Sequence, residues 1–166
     1  MKIINKIKKI IWLILKKVRL LIIYKLLRKT TYGVRTIIIS NQKIFLIKHP
    51  YDNFWVLPGG GKGKNETEFE TAKRECEEEA GLVITGELKK LGKYFNNKEN
   101  KNDYITIIIA KNYEKSTKKQ RLIDRIEIQK RNWFYLDELP EISSATKLRI
   151  NEYIGGDFSE EIRLWN

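Results

Sequence analysis

The stretch that most restricts the fold is Gly59-Gly60-Gly61-Lys62-Gly63, followed downstream by Arg74-Glu75-Cys76-Glu77-Glu78-Glu79. Five residues with so little side chain can only form a loop. Asn65 or Thr67 is placed to cap a helix over roughly Glu66 to Ala80, with an acidic start and a terminating Gly81. On that helix Glu75, Glu78 and Glu79 stand at i, i+3 and i+4, so the three carboxylates share one face. Like charges at this spacing repel unless something positive neutralises them. Arg74, one turn from Glu78, takes part of that task. The remaining charge, beside a loop whose backbone amides can approach an anion, points to a hard divalent cation such as Mg²⁺ or Mn²⁺. The competing reading is a solvated acidic helix face.

Around this unit the chain reads as short β-type runs. Val34–Ser40 and Lys43–Lys48 flank a hairpin turn at Asn41-Gln42, and Phe54–Leu57 is a brief apolar piece that stops at Pro58. Leu82–Thr85, Leu88–Phe95, Tyr104–Lys111 and about Ile126–Tyr135 read as further strands, separated by polar loops at Asn96–Asn102 and Glu114–Arg121. Ser143 or Ser144 starts a last helix to about Tyr153. The body is thus a mixed sheet with two helices, of the α/β (α+β) class, in one domain. A single cysteine, Cys76, excludes an intrachain disulfide framework and a cysteine-based zinc site.

The spacing narrows the reading. Gly60, five residues, Glu66, seven residues, then Arg74-Glu75-Cys76-Glu77-Glu78-Glu79-Ala80-Gly81-Leu82 resembles the 23-residue box of the Nudix hydrolases, and all seven fixed positions match. At about 7% per residue type, a chance match at one start has odds on the order of 10⁻⁸. Phe54-Trp55-Val56-Leu57-Pro58-Gly59-Gly60-Gly61 resembles the family's strand-then-glycine entry, and Trp133–Pro140 the segment ending many of its domains. Two departures stand out. Cys76 sits where a larger aliphatic is usual, and Gly63, Lys64 and Asn65 hold the places where many relatives carry an acidic residue and then Gly-Glu, so the loop carries less negative charge.

The resemblance covers about residues 33–155 and implies an αβα sandwich, so residues 31–166 are expected to form that domain; the added basic amphipathic helix over residues 1–30 lies outside the resemblance. The resemblance also implies metal-dependent hydrolysis of a phosphoanhydride bond in a nucleoside diphosphate linked to another moiety. Carried onto this chain, the metal ligands are Glu75, Glu78 and Glu79, joined by the Gly60 carbonyl and Glu66, and Arg74 orients a glutamate. The general base is a box glutamate (Glu78 or Glu75) or Glu127, whose other reading is a surface partner of Arg125 or Lys130. Tyr51, Trp55, Tyr104 and Trp133 are candidates to stack on a base, or else core residues, while Arg35 and Lys48 are candidates to meet phosphates. His49, the only histidine, reads as a surface or substrate-edge residue, and Cys76 as a small buried hydrophobe. Rival readings are a non-catalytic nucleotide-binding or regulatory module on this fold, and a peripheral membrane protein with a secondary enzyme body.

The formal net charge is +12, but it is local. Eleven of the 33 bases precede position 36 and no acid precedes Asp52, so the rest of the chain is nearly neutral. Ile4, Ile7, Ile11, Ile14, Val18 and Ile22 fall on one helical face and Lys2, Lys6, Lys9, Lys16 and Lys17 on the other. The longest uncharged run within residues 1–30, Ile10 to Leu15, is too short for a span of about 20 residues. Three fates stay open for residues 1–24: an anionic membrane surface, packing on the chain's own domain or a partner, and nucleic acid, the least favoured. The expected setting is cytoplasmic, with peripheral attachment at the inner membrane surface. The expected partner is a nucleotide-type small molecule.

Overall fold

The computed structural model describes Trp12, Leu15, and residues 30–97, 102–118 and 126–165. In chain order these form β1 (Thr31–Ser40), β2 (Lys43–Lys48), α1 (Glu68–Glu75) running into a π-helical turn (Cys76–Ala80), then β3 (Leu82–Ile84) and β4 (Leu88–Asn96). After them come β5 (Asp103–Ala110), β6 (Tyr113–Lys115), β7 (Lys130–Tyr135), α2 (Ser144–Gly155) and β8 (Ile162–Leu164). The predicted N-terminal helix lies outside the described residues except for Trp12 and Leu15, both helical.

A six-stranded mixed sheet in the order β7-β2-β1-β5-β4-β8 forms the middle layer. Its centre is the parallel pair β1–β5, in register from Thr31↔Asp103 to Ile38↔Ala110. Strand alternation divides the apolar residues between two faces. Ile37, Ile44, Leu46, Ile107 and Ile109 pack with Ile150 of α2, while Ile38, Phe45, Ile47 and Ala110 pack with Cys76 and Ala80 of the helical turn. Helices on both faces make the expected αβα sandwich. Cys76 is fully buried in that second cluster, and burial pushes its thiol up to about 12, so it acts as a small hydrophobe.

The feature that positions the site is a fork between β1 and β2. Their hairpin turns at Asn41 (φ 47°) and Gln42 (φ 62°), yet the strands pair only at Ile39↔Ile44 and Ser40↔Lys43. Residues 55–62 enter the gap. Val56 exchanges two backbone hydrogen bonds with Ile47 at 3.0 and 2.9 Å. On the other side the Thr36 amide donates to Pro58 O (2.8 Å), the Val34 amide to Gly60 O (2.9 Å) and the Lys62 amide to Tyr32 O (2.8 Å). The glycine loop is therefore stitched to the middle of the sheet by its own backbone.

Several elements differ from the sequence reading. Ile126 and Glu127 form a helical turn, and the strand expected from Ile126 begins at Lys130. The box helix stops being α-helical at Glu75. β6 and β8 were hidden by their brevity and by charged residues, since each gains its hydrogen bonds from a remote partner, β3 and β4 respectively.

Candidate active site

Of the two possible caps, Thr67 is the one used. Its hydroxyl accepts from the Glu70 amide (3.1 Å) while the Glu70 carboxylate accepts from the Thr67 amide (2.7 Å), a reciprocal capping box. This fixes the start of α1 and hence the phase at which Arg74 and Glu75 emerge.

Arg74 is the hub of the acidic cluster. Its Nε donates to Glu66 Oε1 (2.7 Å) and its Nη2 to Glu66 Oε2 (3.0 Å), a two-pronged clamp. Its Nη1 reaches Glu75 Oε1 at 2.7 Å and Glu78 Oε2 at 3.2 Å, and Nη2 also donates to Gly61 O at 3.1 Å. Glu66 further accepts from the Gly63 amide (3.0 Å) and the Thr71 hydroxyl (2.9 Å). These donors, Arg74 first, hold the Glu66 carboxyl down at about 2. Glu75 moves the other way: burial raises it, opposed by Arg74.

Among the described residues no group of three or more carboxylate, histidine or cysteine side chains is arranged to hold a metal ion. The local reason is visible, because the guanidinium stands between Glu66, Glu75 and Glu78. That same placement is the test of fit. One cationic nitrogen draws on Glu75 and Glu78 together, so these oxygens already converge on a positive centre, and carboxylate oxygen suits a hard dication.

Glu79 is as buried as Glu75, each 8% exposed, and the Glu75 charge acts on it. Within the π-helical turn its Oε2 accepts from the Gly59 amide at 2.7 Å. Burial pushes its carboxyl up to about 8, against the Gly59 hydrogen bond and the positive charge of Arg35. Gly59 is confined in turn. At φ +146°, a Cβ there would meet Val34 O at 2.1 Å and Arg35 Cα at 2.9 Å. At Gly60 a Cβ would lie 2.4 Å from Glu75 Oε1. The paired glycines thus let the loop backbone lie directly on the two buried glutamates.

A NUDIX domain model matches residues 29–152 of the chain. The chain belongs to the Nudix family. A curated relative named "Probable DHNTP pyrophosphohydrolase", from Lactococcus lactis subsp. cremoris (strain MG1363), is 30% identical over 118 residues, 64% of each protein. The matched part thus spans less than two thirds of that relative's length. Among solved structures, a MutT NUDIX hydrolase from Burkholderia pseudomallei superposes with a TM-score of 0.62 at 23% identity, covering 75% of this chain and 98% of that one. An ADP-ribose pyrophosphatase from Streptococcus suis 89-1591 gives 0.61 at 20% identity, covering 82% and 99%. Both share the fold.

The other residues singled out from the sequence are dispersed in this Nudix domain. Arg35 lies close enough to influence Glu75, Glu79 and Tyr51, and Glu127 influences Glu79 and Tyr51. These two belong to the surroundings of the acidic cluster. Tyr51 stacks on His49 at 5.1 Å, and His49 Nδ1 lies 2.9 Å from Glu127 O. Lys48 is engaged locally, its Nζ donating to Asn53 O at 2.5 Å. Trp55 packs edge-on to Phe134 (4.7 Å) against the core on the α2 side, and Trp133 edge-on to Phe45 (5.1 Å) on the other side. Tyr104 stacks on Tyr32 at 5.5 Å. The Gly60 carbonyl accepts from Val34. The sequence reading missed Arg131, whose Nε donates to the Glu79 carbonyl, and Trp12, which stacks on Tyr51 at 4.7 Å. Neither lies in a motif, and only its remote partner makes either one visible.

Proposed function

We propose that this Nudix protein is a pyrophosphohydrolase that uses Mg²⁺ or Mn²⁺ to cleave a phosphoanhydride bond in a nucleoside diphosphate joined to another moiety. The observation that carries the reading is the convergence of Glu66, Glu75 and Glu78 on one cationic centre beside the backbone of the glycine loop. The names of the Lactococcus and Streptococcus proteins both describe cleavage of a pyrophosphate bond.

Glu75, Glu78, Glu79, Glu66 and the second lone pair of the Gly60 carbonyl are the groups that would hold the metal. The ion would supply charge withdrawal from the bridging oxygens and a lowered pKa for water. The chain's own residues do the rest. Arg74, released from its clamp on the acids, would orient Glu75 or Glu78. Arg35 would place positive charge beside the phosphate chain, with Lys48 as a second contact. Either a box glutamate or Glu127 would take the proton of the attacking water, so that oxygen bonds to phosphorus as the bridging oxygen departs with the other phosphate.

Product analysis on nucleoside triphosphates, nucleotide sugars, ADP-ribose and dinucleoside polyphosphates tests the reading. Glu78→Gln should cut metal-dependent turnover by about two orders of magnitude or more, and near-normal turnover would refute the ligand assignment. An unchanged rate in Glu127→Gln would remove that residue as the base. For residues 1–24 the charge pattern supports attachment to an anionic membrane surface. Co-sedimentation with anionic liposomes should then be lost when residues 1–30 are deleted. Among the described residues no helix is long and apolar enough to cross a membrane.

A further inference from the structure

Trp12, Tyr51 and His49 form a group of nearly parallel rings. Trp12 and Tyr51 are 4.7 Å apart at 8°, His49 and Tyr51 are 5.1 Å apart at 16°, and Trp12 and His49 are 6.4 Å apart at 8°. A straight column with Tyr51 in the middle would separate its outer rings by about 10 Å. At 6.4 Å the column is bent, and Tyr51 is the ring on which both the indole and the imidazole lie, each offset. This differs from Phe45–Trp133, Trp55–Phe134 and Tyr94–Trp165, which meet edge-on at 75°, 73° and 76°. Flat, offset overlap is how a planar base lies on aromatic side chains.

Position gives this arrangement a use. Tyr51 is close enough to Arg35, Glu79 and Glu127 for their charges to act on it, and His49 is tied to the Glu127 carbonyl at 2.9 Å. The rings therefore border the acidic cluster. The indole is a bicyclic ring of about the size of a purine, and its Nε1 is buried with no hydrogen-bond partner. An unsatisfied buried donor weakens the hold of the ring that carries it. The seat suits a flat bicycle better than it suits this one.

We propose that Tyr51, steadied by His49, is the stacking surface for the purine-sized base of the substrate, and that Trp12 occupies this surface in its absence, so that base and indole compete. The identity of the ligand rests on the pyrophosphohydrolase reading, while the competition is a matter of binding alone.

Calorimetric titration of the full-length protein with ADP in chelator, and with inorganic tripolyphosphate as a base-free control, tests this. Trp12→Leu should tighten ADP about tenfold, Tyr51→Leu should weaken it about tenfold, and Tyr51→Phe, which keeps the ring, should bind like wild type. Tripolyphosphate should bind all four proteins alike. Weaker or unchanged ADP binding by Trp12→Leu would overturn the competition, and failure of every form to bind ADP would overturn the site. These shifts in a protein that hydrolyses no pyrophosphate bond would refute the enzymatic reading alone. Hydrolysis without the shifts would refute this proposal alone.

Discussion

Replacing Gly59 by alanine should unfold the domain more readily than any other single-methyl addition in the loop. The backbone there sits at φ +146°, a region that costs a residue with a Cβ about 1–3 kcal/mol. The new methyl would also lie 2.1 Å from Val34 O and 2.9 Å from Arg35 Cα. Both are main-chain atoms in the central strand, so no side chain can swing away, and overpacking of this kind adds about 1–3 kcal/mol. Movement of the loop away from β1 strains a third contact, the Gly59 amide on the buried and largely protonated Glu79, a hydrogen bond that contributes about 0.5–1.5 kcal/mol. Partial relaxation shares these costs, giving a loss of about 3–6 kcal/mol out of a total near 5–15. At a urea slope of about 2 kcal/mol/M the midpoint falls by roughly 1.5–3 M. Gly156→Ala is the control, because Gly156 has φ +67° with nothing within 4 Å of its added Cβ. It should lose only the left-handed strain of about 1–2 kcal/mol. Urea melts followed by tryptophan fluorescence measure both. A Gly59→Ala midpoint no lower than that of Gly156→Ala would refute the claim that main-chain contact with β1 dictates this glycine.

Gly60→Ala should behave differently, since its methyl would meet the Glu75 carboxylate, a side chain that can move. Turnover should fall about 10²-fold through misplacement of that oxygen while the urea midpoint changes little, and normal turnover would refute the contact. Glu79, with a folded value of about 8 against an ordinary 4.5, binds a proton in the fold that the unfolded chain sheds between those values. Metal-free wild type should therefore lose stability relative to Glu79→Gln as pH rises from 5 to 8, by up to a few kcal/mol, and a pH-independent difference in melting would refute this. Thr67→Ala should cost about 1 kcal/mol in denaturant titration through loss of the capping box, and a loss under a few tenths would show that Asn65 takes over the cap.

Local features were legible in the sequence because they are decided by neighbours along the chain. A cap at Asn65 or Thr67, the two-residue turn at Asn41-Gln42, the alternation in β1, β2 and β5, and the spacing of Arg74 from Glu66 and Glu78 all follow from periodicity and side-chain chemistry. So does the burial of Cys76. What tertiary structure decided is where these pieces meet. Spacing put Glu75, Glu78 and Glu79 on one face, but only the fold shows that the box helix ends in a π-helical turn packed against β2 and that Glu79 accepts from the Gly59 amide. Trp55 and Trp133 have the same aromatic character as Tyr51, yet opposite faces of the sheet absorb the tryptophans into the core while Tyr51 stays beside the acids. Sequence spacing named the acids of the site. The fork between β1 and β2 decided how they are arranged, because it alone brings a loop backbone and a helix from separate stretches of chain within hydrogen-bonding distance.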